Sequence, residues 1–358
     1  MEIEMAKGRK YLLLLVFIFV VLLPVNGGAA GNKGTVIIAE WGGSLGDALR
    51  KAYYIPFEEK TGIKVIQASG PDPVKLRAMV ESGNVEWDVV EHSMMEIIRF
   101  GPIGLLEKID YSVFNQKFLD DIDDIYQNEY GFGGFVWSQI LAYDKDVFGN
   151  NGPKNWADFW NIKKFPGPRT LESGSGGDPP PFEYALMADG VSINSVYPID
   201  MDRAFAKLKE IAPHIPKWWT GGAQPGQMLI DGEVVMAQAF SGRIANLIKK
   251  GANLGMVYNQ GLVSVDYWVV PKGAPNKDNA MKLLAFMADP KQQAEFAKSI
   301  PYGPVSSKAY DYIDEKTAKM LPTHPDNINK QLWLNHEYWG PKRPEALEKW
   351  TNWSMSLE

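Results

Sequence analysis

The sequence predicts an α/β architecture large enough for two domains, and three observations carry that reading. The chain has 358 residues, more than one hydrophobic core usually serves. Its composition, 45% hydrophobic and 22% charged, is that of an ordinary globular protein. Beyond residue 31, short strand-like runs alternate with amphipathic helix-like runs, with no internal repeat or low-complexity segment.

The start of the chain lies outside this pattern. Lys7, Arg9 and Lys10 precede thirteen apolar residues, Tyr11 to Leu23, then Pro24 and a small-residue stretch ending in Gly28-Ala29-Ala30. A basic start, an apolar middle and a small-residue end describe a cleavable secretory signal over residues 1–30. Thirteen residues fall short of the about 20 that span a bilayer. Glu2 and Glu4 fit a basic start poorly, which makes Met5 an alternative initiator.

Residues 1–30 hold three basic and two acidic side chains, so the remainder carries a formal charge of about −7. That balance argues against nucleic-acid binding and mildly favours cationic partners. There is no cysteine, hence no disulfide framework and no lipid-attachment thiol. These features together predict a periplasmic protein.

The elements follow in order. "TVIIA" (35–39) reads as the first strand, then Gly42-Gly43-Ser44 and a helix through "LGDALRKAYYIPFEEKTG", stopped by Gly62. "IKVIQA" is a second strand, "DPVKLRAMVES" a helix with Pro73 near its start, "WDVVEHS" a short buried strand and "MMEIIRF" a helix. "FVWSQILAYDKDVF" (135–148) is a long strand-like run; "NWADFW" starts a helix that Asn155 caps. After the loop "ESGSGGDPPP", "EVVMAQAF" feeds the helix "SGRIANLIKKG". "VSVDYWVV" (263–270) is a buried strand, followed by helices over 276–290 and 291–300, the loop "IPYGPVSSKA" and a final helix "PEALEKWTNWSM".

The strand at 263–270 poses the chemical question. Its Val, Tyr and Trp residues favour a buried strand, yet Asp266 sits in the middle. A buried unpaired charge costs several kcal/mol, so Asp266 needs either an internal Lys or Arg or a visiting cation. Elsewhere no constellation signals an enzyme. His92, His214, His324 and His336 lack metal-ligand spacing, and no metal, cofactor or catalytic residue is expected. Gly174-Ser175-Gly176-Gly177 matches neither a phosphate loop nor a nucleophile elbow. Tyr53-Tyr54 is the kind of pair that holds ferric iron, but it falls in a helical run and reads as packing. Twelve tryptophans are many for this length; most large aromatics are core, but a subset lining a cleft would also suit an ammonium-bearing ligand.

The ordered series of segments resembles the periplasmic solute-binding proteins of ABC importers, of the spermidine/putrescine type. The similarity runs through "AEWGGSLGDA", "FEEKTGIKVI", "WDVVEHSMMEIIRFGPIGLLEKID", "VWSQILAYDKDVF", "NWADFWNIKKFPGPRTL", "DGEVVMAQAFSGR", "VDYWVVPKGAPNKDNAMKLLAFM" and "IPYGPVSS". It implies a class II two-lobed fold, with a ligand cleft between lobes joined by crossing strands. The expected division is a signal over 1–30, lobe one over 31–138 and 259–310, lobe two over 139–258, and C-terminal helices (311–358) packing mainly on lobe two. The resemblance also implies a monomer that delivers a small amine to an inner-membrane permease and performs no chemistry.

It places Trp41, Ser93, Phe240, Asp266 and Tyr302 near the ligand, with Trp41 stacking on it and Asp266 pairing with its amine. Trp137 joins these as a further wall aromatic. The chain also departs from the family pattern. Gly43 stands where the family has an acidic residue, Ser264 replaces an aromatic, and "SGSGGDPPPFEYAL" lacks a family acidic pair. Arg243 adds a cation just past Phe240. One carboxylate and one guanidinium suit a zwitterion, so a γ-aminobutyrate-like ω-amino acid stands as the second reading behind a polyamine. A ferric-ion receptor and a cysteine-independent enzyme on the same fold rank below both.

Overall fold

The computed structural model describes residues 34–174 and 178–357. The signal expected over residues 1–30 and the centre of the "ESGSGGDPPP" loop lie outside them. A nine-stranded mixed sheet organises the described chain. Its strands are β1 (Thr35–Glu40), β2 (Lys64–Ser69), β3 (Val89–Ser93), β4 (Gln127–Asn128), β5 (Gly131–Asp144), β6 (Arg169–Thr170), β7 (Met236–Phe240), β8 (Leu254–Val269) and β9 (Leu332–Trp333). The order is β2-β1-β3-β8-β5-β7-β6, with β4 added to β5 and β9 to β8. β1 runs parallel to β2 and β3, whereas β8 meets β3 and β5 antiparallel, and β5 meets β7 antiparallel.

Two large apolar cores explain the two lobes. One packs the β2-β1-β3 side with Val36, Ile38, Val90 and Phe296; the other packs Trp156, Phe182, Leu208 and Met236. The long strands β5 and β8 run through both. Phe135 and Val265 belong to the first core, Leu141 and Leu262 to the second. Side chains that change core within one strand make β5 and β8 the crossing strands between lobes. A smaller cluster of Ala142, Ala237, Ile244 and Leu254 backs the β7 edge.

Local chemistry sets the element ends. Asp72 caps the helix Pro73–Ser82 by accepting from the Val74 and Lys75 amides, and Asn155 caps Trp156–Trp160 by accepting from the Asp158 amide. Gly62 ends its helix in the left-handed conformation, as expected. Tyr53 and Tyr54 are buried, and Tyr53 packs its ring 5.6 Å from that of Phe296.

Three boundaries differ from the sequence reading. The strand expected over 135–148 runs from Gly131 to Asp144, where the Asp144 carboxylate accepts from the Asp146 amide at 2.8 Å and opens a helical turn. The strand expected to begin at Val263 begins at Leu254. Asn259, Gln260 and Gly261 interrupt its apolar pattern, and the register shift against Gln139 and Leu141 absorbs them as a bulge. The last helix starts at His336, not Pro344, and passes through Pro341 and Pro344. Burial of Trp339, Ala346 and Trp350 against the second core outweighs the broken backbone ladder.

Candidate functional site

Strand register gathers the site on one face of the sheet. Ser93 on β3 lies opposite Asp266 on β8, and Phe135 on β5 lies opposite Asp266 from the other side. Side chains two residues apart share a face, so Glu91 and Trp137 join them. Gln139 on β5 lies opposite Phe240 at the end of β7 and shares that face as well. Loops and helix starts close a cavity of about 480 Å³ over this surface, a size suited to a small molecule. All seven predicted site residues, Trp41, Ser93, Trp137, Phe240, Arg243, Asp266 and Tyr302, line it.

The aromatic wall is built from edge-to-face contacts. Trp137 and Phe240 have ring centroids 5.3 Å apart, and Trp219 sits 5.8 Å from Phe240. Phe135 stacks on Tyr302 at 5.2 Å. Trp41 is 45% exposed at the rim, which leaves its ring face free for a ligand. Gly42 follows with φ +65°, a conformation that turns the chain sharply behind this ring.

Asp266 answers the question its sequence raised. Among the described residues it forms no ion pair with a lysine or arginine; its nearest ionisable neighbour is another acid, Glu91. The Trp137 indole N–H donates to Asp266 Oδ1 at 2.8 Å. Loss of bulk water raises the Asp266 carboxyl to about 6, against the lowering effect of its hydrogen bonds to Glu91 and Trp137. Burial, then the charge of Asp266, pushes Glu91 well above the usual carboxylate range. The two carboxyls therefore share one proton and one negative charge.

Ser93 lines the cavity and has a local role as well. Its hydroxyl caps the helix Met94–Phe100 by accepting from the Met95 amide and donates to Glu96 Oε2 at 2.6 Å. His92, also at the cavity, is pushed down to about 4 by burial and is neutral.

Arg243 enters from the helix Ser241–Lys249, directly after Phe240. Among the described residues no carboxylate forms an ion pair with it. Its charge favours ionisation of nearby Glu40 and acts on the Tyr302 hydroxyl. Gly242 makes that arrangement fit: a Cβ there would lie 2.6 Å from the Tyr302 ring. This helix has no side-chain cap, so its first amides add to the positive end that Arg243 provides.

Two further carboxylates stand at the stretch "SGSGGDPPPFEYAL" that lacks the family's acidic pair. Glu172 and Asp178 flank the loop centre, and Gln139 Nε2 donates to Glu172 Oε2 at 2.7 Å and Asp178 Oδ2 at 2.9 Å. Tyr184 and Gln238 in turn donate to Gln139 Oε1 at 2.8 and 2.6 Å. Burial raises Glu172 strongly, with the charge of Asp178 adding to it, and raises Asp178 to about 7. Arg343, from the final helix, lines the cavity beside it. Sequence reasoning missed these residues because Glu172 and Asp178 stand six positions apart across a loop and Arg343 lies between two prolines. The run of three prolines after Asp178 was the available signal, since it stiffens the loop that holds that carboxylate. Among the described residues no group of three or more His, Cys, Asp or Glu side chains is placed to hold a metal ion.

A family profile for bacterial extracellular solute-binding proteins matches residues 52–326. The Gamma-aminobutyric acid-binding protein of Pseudomonas aeruginosa is 36% identical over 332 residues, 91% of this chain and 92% of that protein. The Spermidine/putrescine-binding periplasmic protein 1 of Haemophilus influenzae is 26% identical over 343 residues, 92% of this chain and 90% of that protein. A solved ABC transporter structure from Rhodopseudomonas palustris superposes with a TM-score of 0.83 and 38% identity, covering 89% of this chain and 99% of that one. The Atu4243-GABA receptor structure superposes with a TM-score of 0.80 and 37% identity, covering 89% and 97%. By matched length, shared identity and two-lobed architecture, the chain belongs to the bacterial extracellular solute-binding protein family.

Proposed function

We propose that this chain is the periplasmic receptor of an ABC importer and captures a small zwitterionic ω-amino acid of the γ-aminobutyrate kind. One observation carries the reading: Asp266, backed by the buried Glu91, and Arg243 line a single cavity, and among the described residues neither Asp266 nor Arg243 is neutralised by a salt bridge. The ammonium takes the place of the missing cation at Asp266. The carboxylate meets the Arg243 guanidinium and the uncapped start of its helix. The methylene chain between them lies against Trp41, Trp137 and Phe240.

This reverses the order in which the sequence ranked its two ligands. A polyamine has no group for Arg243. The γ-aminobutyrate-binding relative is also nearer in identity than the spermidine/putrescine-binding one.

Capture involves no chemistry. The wall is drawn from both sides of the crossing strands, so ligand contacts both lobes only when they close, and that differential contact shifts the open–closed equilibrium. The permease then reads lobe spacing. The division into lobe one (31–138 and 259–310) and lobe two (139–258) with the C-terminal helices fits the packing of Trp339, Ala346 and Trp350 in the second core. A cleavable signal over residues 1–30 accounts for export, and delivery as a monomer suits a cavity completed within one chain.

The test is a calorimetric titration of γ-aminobutyrate, putrescine and spermidine into wild type and Arg243→Gln. The reading expects γ-aminobutyrate to bind wild type tightest and the substitution to cost it at least tenfold while sparing the diamine. Binding of polyamines alone would overturn it.

A further inference from the structure

The cavity contains more charge than a short ω-amino acid uses. Arg243 acts on Tyr302, which also feels Asp266 and Glu91. Asp178 feels the charges of both Asp266 and Arg343. Two arginines, Arg243 and Arg343, and two carboxylates, Asp266 and Asp178, line this one cavity. Arg343 forms no ion pair among the described residues, and its Nε is buried without a hydrogen-bond partner. Asp178 is held in place from the sheet by Gln139, itself fixed by Tyr184 and Gln238. This end is thus a preorganised polar surface facing the same cavity as Asp266.

The complement of two arginines and an acidic seat in one cavity is a ligand with two anionic groups and one cationic group. Resting on the proposed seat of the ammonium at Asp266 and of one carboxylate at Arg243, we infer that the receptor's preferred ligand is an amino acid whose nitrogen bears a second, carboxylate-ended arm. That arm reaches Arg343. A secondary ammonium keeps two N–H donors, one for Asp266 and one for Asp178, and its two carboxylates neutralise the two arginines. A primary amine with one carboxylate leaves Arg343 facing water. The volume of about 480 Å³ falls within the range of pockets that enclose ligands larger than γ-aminobutyrate.

The experiment titrates three probes into wild type, Arg343→Gln and Arg343→Lys: γ-aminobutyrate, its N-(2-carboxyethyl) derivative and its N-propyl derivative, which has an arm of similar length without the charge. Wild type is expected to bind the carboxyethyl compound at least tenfold more tightly than the propyl one. Arg343→Gln should erase that ratio while changing γ-aminobutyrate affinity less than threefold, and Arg343→Lys should restore part of it. Unchanged thermal melting establishes that both variants fold. Equal affinity for the two arms, or a ratio that survives Arg343→Gln, overturns the inference while leaving the γ-aminobutyrate reading intact. If no probe binds wild type, both fall. If only the carboxyethyl compound binds, the inference stands and the simple ω-amino acid reading fails.

Discussion

Asp266→Asn separates what the acid pair does for function from what it does to stability, and the two effects have opposite signs. Asparagine keeps the shape of the side chain, and its carbonyl oxygen still accepts from the Trp137 indole, which donates to Asp266 Oδ1 at 2.8 Å. What disappears is the charge. Removal from water raises this carboxyl from 3.8 to about 6, so above pH 7 keeping it ionised costs the fold about 3 kcal/mol at roughly 1.4 kcal/mol per unit. The substitution also gives Glu91 a neutral donor in place of a like charge. The ligand-free variant should therefore be more stable than wild type, by about 1–3 kcal/mol once relaxation is allowed for, and should melt several degrees higher at pH 7.5. Its ligand loses a charge-assisted hydrogen bond worth about 1.5–3 kcal/mol, a roughly ten- to hundredfold weaker affinity. Paired thermal melts and titration calorimetry measure both. A variant less stable than wild type would mean the carboxylate is satisfied internally; unchanged affinity would mean that it does not meet the ligand.

Other outcomes follow from the same geometry. Asp266 and Asp178 have carboxyls raised to about 6 and about 7, and Glu91 and Glu172 are raised further. The folded state thus holds these protons to higher pH than the unfolded chain does, so ligand-free stability should fall as pH rises from 5 to 7.5. Over the same interval ligand affinity should rise, because the ammonium needs the ionised form; melts and titrations at matched pH check both signs. Trp137→Phe keeps the ring against Phe240 but removes the donor to Asp266, and should weaken γ-aminobutyrate binding by about 1 kcal/mol, read by calorimetry. Gly242→Ala drives a methyl group to 2.6 Å from the Tyr302 ring and should destabilise the protein by about 1–3 kcal/mol in a denaturant melt, with a loss of affinity as Arg243 shifts.

The residues show why some of this was legible in sequence and some was not. Alternating strand and helix runs report burial directly, so β1, β3, β7 and the helices after them were readable from pattern. Asp266 was readable because a charge in a strand of Val, Tyr and Trp breaks that pattern. Its true neighbour, Glu91, was not, because the contact depends on β3 and β8 pairing antiparallel across more than 170 residues of chain. The length of β8 was hidden by Asn259-Gln260-Gly261, which look like a turn in sequence and form a bulge in the sheet. Arg343 was masked by Pro341 and Pro344, which argue against a helix unless the core contacts of Trp339 and Trp350 are known. Tertiary packing, not local propensity, decides each of these cases.

The most direct measurement is a crystal structure with γ-aminobutyrate in the cavity. The account predicts its nitrogen within about 3.2 Å of an Asp266 oxygen and its carboxylate on the Arg243 guanidinium, with the chain carbons against Trp137 and Phe240. A ligand lying the other way round, or density for it only outside the acid-lined wall, would contradict it.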